Sequence, residues 1–212
     1  MNFDGKKVLL ISAHTDDLEV AIGGFVLSQK DKSLWKHLVF SPAKESIPEG
    51  FPVSATEREF IESQRFMGIK EYRMENFDVR WFPESRQKIL EVLNEEKRDF
   101  KPDVIFCPSS VDIHQDHATV GKEVYRAFYG RTIYEYLSSK SFGEERVNTF
   151  IEIDEDTFKL KQKLIGIYKS QLAKFDFKAL NENIMKFCGE RYIGKGKYAE
   201  TMIMRKKVER IY

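Results

Sequence analysis

A Rossmann-like, three-layer α/β fold around a mostly parallel central sheet is the architecture this 212-residue sequence predicts. Three observations carry the expectation. Residues 7–12 (KVLLIS) and 103–107 (DVIFC) are short apolar runs without polar alternation, as strands buried on both faces require. Segments of helical apolar spacing alternate with such runs along the chain. Residues rich in His and Asp follow both runs directly, where α/β sheets place their ligands, outside the carboxyl ends of the strands.

The elements follow in order. After the first strand come Asp16 and Asp17, then Leu18, Val20, Ile22 and Leu27 on one helical face, with the acids suited to a helix N-terminus. Residues 35–41 read as a second strand. Pro42, Pro48, Gly50 and Pro52 then mark a loop. Ser54 and Glu57 have capping-box spacing for a helix ending near Gly68. Residues 71–77 form a weak strand, and residues 83–100 a helix with Ile89, Leu90, Val92 and Leu93 inward. The buried run 103–107 leads through Pro108 to a helix over about 116–129. Strands are expected at 133–137 and 149–153, and one long helix at 156–175.

With no linker, repeat or low-complexity tract, residues 1–212 are expected to form one domain. Seventeen Phe, nine Tyr and two Trp supply ample surface to bury, which excludes a disordered chain. A net charge of +1 excludes a bulk electrostatic grip on nucleic acid, and no apolar run reaches the roughly 20 residues of a membrane span. Residues 1–5 lack the basic and apolar regions of a signal peptide, and Cys107 and Cys188 form no disulfide framework. A cytoplasmic protein with inert core thiols is expected, and a homo-oligomer is compatible with the sequence. No G-x-G-x-x-G follows the first strand, so dinucleotide binding is not expected.

Three of the four histidines fall in the two segments that follow the buried strands. Together these segments offer His14, Asp16, Asp17, His114, Asp116 and His117. Imidazole and carboxylate without thiolate suit a catalytic zinc or another divalent metal, held by three protein ligands with one position open. Of the adjacent Asp16 and Asp17, one can bind metal while the other serves as general base. Of His114 and His117, one can bind metal while the other stabilises an oxyanion or donates a proton, and Asp116 could orient that second imidazole. His37 has no acidic or His neighbour and reads as structural.

The segment Ala13-His14-Thr15-Asp16-Asp17-Leu18-Glu19 with Gly23-Gly24 resembles the A-H-P-D-D-x-E motif of the PIG-L/LmbE family of zinc-dependent N-acetyl sugar deacetylases. The stretch from Pro102-Asp103 through Pro108 to Asp112-Ile113-His114-Gln115-Asp116-His117 resembles the family's second motif. Tyr168-Lys169-Ser170-Gln171 and residues 191–200, ending Tyr198-Ala199-Glu200, resemble its C-terminal signatures. The resemblance implies His14, Asp17 and His117 as metal ligands, Asp16 as general base, His114 as oxyanion donor or acid, and Asp116 as its orienting partner. Thr15 stands where the family has Pro, and Ala21 where many relatives have Gly. Thr56-Glu57-Arg58-Glu59 matches the family's Arg-x-x-Glu imperfectly, leaving Arg58 as a weak substrate-contact candidate.

The expected reaction is removal of an N-acetyl group from an acetamido sugar such as an N-acetylglucosamine conjugate, or a nucleotide sugar. Residues 186–212 hold eight Lys and Arg against three Glu, and this basic segment could attract a phosphate-bearing substrate. Arg80 is a further substrate-contact candidate, with Trp81 beside it read first as a packing residue. The alternatives are hydrolysis of another amide or a phosphoester, or a non-catalytic metal-binding protein of the same fold. A complete set of base, ligands and acid argues against the last, since structural zinc closes its fourth position with protein.

Overall fold

The computed structural model describes residues 3–209. Five strands run parallel: β1 (Lys7–Ser12), β2 (Leu34–Val39), β3 (Glu71–Met74), β4 (Val104–Pro108) and β5 (Thr132–Tyr136). Two more, β6 (Thr149–Ile153) and β7 (Tyr198–Lys206), pair antiparallel to each other, and β7 also runs antiparallel to β5. The sheet order is β3-β2-β1-β4-β5-β7-β6. The chain thus winds outward in one direction from β1 and in the other from β4. That reversal opens a crevice at the carboxyl ends of these two strands.

The helices are α1 (Asp17–Gln29), α2 (Ala55–Met67), α3 (Arg86–Asp99), α4 (Gln115–Ala127), α5 (Glu155–Ile165), α6 (Lys169–Leu172) and α7 (Phe177–Tyr192). Strand parity sorts them into layers. Leu9, Ile11, Ile105, Cys107 and Ile133 pack against Leu93 of α3 and Val120 and Val124 of α4. Their neighbours Val8, Leu10, Val104, Phe106 and Tyr134 pack on the opposite face against Leu18, Ile22, Phe25 and Val26 of α1 and Leu164 of α5. Because both faces are covered, the central strands are apolar without alternation, as their sequences indicate. Among the described residues, no helix is long and apolar enough to cross a membrane.

Helix α1 is broken at Ile22 (φ −132°, ψ 21°). The backbone groups around the break find partners from later in the chain. Glu200 of β7 accepts from the N–H groups of Gly24 (2.8 Å) and Phe25 (2.7 Å), while Asn181 Nδ2 donates to Val20 O at 2.8 Å and Lys161 Nζ to Ala21 O at 3.1 Å. Lys161 and Glu200 also pair with each other at 2.5 Å, both fully buried. A Cβ at Gly24 would lie 3.0 Å from Glu200 Oε1, which explains the small residue there. Gly121 serves α4 similarly: a Cβ would stand 2.6 Å from Pro108 O, so glycine lets the helix lie against the end of β4.

Several details differ from the sequence expectation. The helix expected over 156–175 is two helices, because after Gly166 the chain turns to carry Tyr168 inward, where its hydroxyl meets Thr15 O at 2.6 Å. The capping box at Ser54 does not form, and Glu57 pairs instead with Lys44 at 3.1 Å. The weak strand ends at Met74, short of Phe77. Trp81 is 61% exposed rather than packed in the core. The basic C-terminal segment supplies part of α7 and all of β7, and none of its described residues lines the main cavity.

Candidate metal centre

The two strand-end segments meet as expected. His14 follows β1, His114 precedes α4, and His117 lies in its first turn, the three imidazoles standing within 4.8–5.3 Å of one another. His14 Nδ1, Asp17 Oδ1 and His117 Nε2 face one point, at mutual separations of 3.3, 3.2 and 3.7 Å. Zinc bonds of about 2.0–2.2 Å give a tetrahedron with edges of about 3.3–3.6 Å. An octahedral magnesium at about 2.0–2.1 Å would need edges nearer 2.8–3.0 Å. The separations and the imidazole and carboxylate donors therefore fit a divalent metal ion. His14, His114 and Asp116 form a second close group that shares His14.

Carboxylates behind these three side chains hold the geometry. Asp116 Oδ2 lies 3.0 Å from His14 Nε2 and accepts the Arg80 N–H at 2.7 Å. Its distance to His114 Nδ1 is 3.9 Å, so Asp116 orients His14 and not His114. Asp112 Oδ2 faces His117 Nδ1 at 3.3 Å, and Asp112 Oδ1 accepts the His114 N–H at 2.9 Å. The Asp17 Oδ2 accepts the His14 N–H at 2.7 Å, which closes the corner after β1. Asp112 belongs to the candidate site by these contacts, though the sequence reading does not single it out. Its one signal is its place as the first acid of Asp112-Ile113-His114-Gln115-Asp116-His117.

Electrostatics follow from this packing. Burial favours neutral imidazole at His14, but Asp17 and the bond to Asp116 outweigh it and raise its pKa to about 9. At His117 the same contest, with Asp17 and Asp112 opposing burial, gives about 10. Despite burial, His117 and His14 hold Asp17 well below the usual carboxylate range. Burial and the adjacent Asp17 charge push Asp16 the other way, up to about 6. His114 is lowered by burial and by the other two imidazoles.

His14, Asp16, Asp17, His114 and His117 all line one cavity of about 380 Å³, within the range of small-molecule sites. Neither arginine candidate lines it. Arg58 projects to solvent from α2. Arg80 has an exposed side chain and serves through its backbone: at φ 73° it donates to Asp116, and its carbonyl accepts from Gln115. The cationic groups that do line the cavity are Lys140 and Lys174. His37 is buried away from the site between Ser12 Oγ (2.9 Å) and Gln64 Oε1 (3.0 Å), with burial lowering its pKa to about 4, in keeping with a structural role.

Fold and site together define a doubly wound α/β protein with an open His/Asp centre at its switch point. The chain belongs to the PIG-L family: residues 9–128 match the family model described as GlcNAc-PI de-N-acetylase. Solved structures share the fold at low identity. N,N'-diacetylchitobiose deacetylase from Pyrococcus horikoshii, in complex with an inhibitor, has 21% identity and a TM-score of 0.75 over 94% of this chain and 83% of its own. The conserved protein TT1542 from Thermus thermophilus has 20% identity and a TM-score of 0.77 over 97% of each chain. GalB, the 4-carboxy-2-hydroxymuconate hydratase from Pseudomonas putida KT2440, has 18% identity and a TM-score of 0.74 over 98% and 100%.

Proposed function

We propose that this chain is a zinc-dependent hydrolase that removes the acetyl group from an acetamido sugar or sugar conjugate, releasing acetate and a free amine. One observation carries the reading. Three ligand atoms at tetrahedral spacing lie in a cavity that Asp16 and His114 also face without being spent on ligation. His14, Asp17 and His117 would hold the ion, which when bound polarises a carbonyl and acidifies water. Asp16, poised near pH 6 by burial beside Asp17, takes the proton of the attacking water. The Asp116 N–H occupies His114 Nδ1 at 3.2 Å, so neutral His114 carries its proton on Nε2. That N–H donates a hydrogen bond to the developing oxyanion, and the proton that Asp16 took from the water passes to the leaving amine, which restores the carboxylate. Asp116 supports the reaction by fixing His14.

Family membership supports a deacetylase, as does the likeness to an N,N'-diacetylchitobiose deacetylase. Because a hydratase shares the fold, the test reads acetate rather than substrate loss. Acetate and free amine are measured across N-acetyl sugars, nucleotide sugars and sugar conjugates, with phosphoesters as the contrast and metal content determined on the same sample. Equal acetate and amine, in proportion to bound metal, is expected. Cleavage of phosphoesters alone would replace the reaction, and full metal occupancy without any hydrolysis would make the protein a non-catalytic binder.

A further inference from the structure

The hydrolytic roles leave two cations of the cavity unused. Lys140 lies on the single turn Ser139–Ser141 after β5, and Lys174 lies just beyond α6; both line the cavity with His14, Asp16 and His114. Buried groups hold both loops in place. Asp112, which faces His117, also accepts from Ser138 N–H at 2.9 Å and Ser141 Oγ at 2.6 Å, and so suspends the Lys140 turn. Glu59 accepts from Ser170 N–H at 2.8 Å and Ser170 Oγ at 2.5 Å, while the Tyr168 hydroxyl binds Thr15 O, which fixes the approach to Lys174.

The ammonium groups themselves are restrained but not neutralised. Lys140 Nζ sits over the rings of Phe175 and Phe177, at 5.0 and 5.7 Å from their centres, and Lys174 Nζ donates to Ser46 O at 2.8 Å. Among the described residues, neither has an Asp or Glu oxygen within 4 Å, unlike Lys36, Lys44, Lys161 and Lys197. Burial lowers the Lys174 pKa, with Asp16 opposing and Lys140 adding its repulsion, so the two cations feel each other across the cavity mouth. An anion placed between them would relieve that repulsion and gain charge-assisted hydrogen bonds.

We propose that Lys140 and Lys174 form an anion subsite at the mouth of the cavity, so that the substrate is an acetamido sugar bearing a phosphate or carboxylate away from its acetamide. The acetamide half of this statement rests on the deacetylase reading; the anion half does not. The metal-loaded full chain is assayed on methyl N-acetylglucosaminide, N-acetylglucosamine 1-phosphate, the 6-phosphate and N-acetylmuramate, the last carrying a carboxylate. At least one anionic sugar is expected to exceed the neutral glycoside by about 10- to 100-fold in kcat/KM. The ratio should collapse in Lys140→Gln/Lys174→Gln and persist in Lys140→Arg/Lys174→Arg. Calorimetric binding of the same sugars to parent and Gln variant gives a readout independent of turnover. If no sugar releases acetate yet the anionic ones bind and are weakened by the Gln pair, the deacetylase reading fails and the subsite stands. Equal or better use of the neutral glycoside overturns the subsite. An anion preference that survives the Gln pair does so too, as does failure of every anionic sugar to bind.

Discussion

Zinc binding to the metal-free protein should expel one proton near neutral pH, and zinc affinity should rise about tenfold per pH unit. The count comes from four ring nitrogens. His14 Nε2 lies 3.0 Å from Asp116 Oδ2, and His117 Nδ1 lies 3.3 Å from Asp112 Oδ2. Both keep their protons when the opposite nitrogen binds metal, as ligating histidines with carboxylate partners do. The inner nitrogens, His14 Nδ1 and His117 Nε2, are 3.3 Å apart. Two N–H bonds cannot point at each other across that gap, so the inner face shares one proton between them and Asp17. The higher of the two raised pKa values, about 10 at His117, keeps that proton bound through the neutral range, and its charge opposes a second proton on His14. Asp17 stays ionised far below it.

An ion held by those three atoms must displace the shared proton. The metal-free form then binds the extra proton, so affinity falls as pH falls, by about 1.4 kcal/mol per unit, and levels off as pH rises past the raised imidazole values. Calorimetric zinc titrations in buffers of different ionisation enthalpy count the protons, and chelator competition from about pH 6 to 9 gives the slope. Release of none would mean a neutral imidazole pair, and release of two a pair of imidazolium ions. Either result refutes the shared-proton argument.

Asp16→Asn should keep the metal and lose about 10²–10⁴ in kcat, read by metal analysis and acetate release; loss of metal alongside would make Asp16 a ligand. Asp116→Ala should weaken zinc about 10- to 100-fold in chelator competition, because it frees His14, and unchanged affinity would return Asp116 to His114. Lys161→Met leaves the buried Glu200 carboxylate without its cation and should lower unfolding free energy by about 3–5 kcal/mol in denaturant titration. A change below about 1 kcal/mol would show that the amides of Gly24 and Phe25 satisfy Glu200 unaided.

The sheet and the metal corner are legible in sequence because they obey local rules. Apolar runs at 7–12 and 103–107 suit strands buried on both sides, and His and Asp at their ends have one crevice to share. What sequence hides depends on contacts across the chain. His114 stands two residues before Asp116 in sequence, yet the fold brings His14, 102 residues away, closer to its carboxylate. Arg80 suggests a side-chain contact because nothing local announces a residue at φ 73° that works through its N–H. The size of Trp81 argues for the core, but its ring is left largely to solvent. Strand β7 is hidden by its charges, since Glu200 is buried in it against Lys161, a partner 39 residues away, while Arg205 near its end is exposed. The lysines at 140 and 174 follow no motif spacing and become a pair only when the loops after β5 and α6 face one cavity.

The break in α1 bears on the order of synthesis. A nascent chain that has emerged through residue 128 already holds every His and Asp of the metal corner. It lacks Lys161, Asn181 and Glu200, which receive the backbone groups of the broken helix directly behind that corner. The candidate ligands are therefore translated before Glu200 of β7, which completes the support of α1. The cavity itself needs the chain only through Phe177, so its lining is complete before β7 is made.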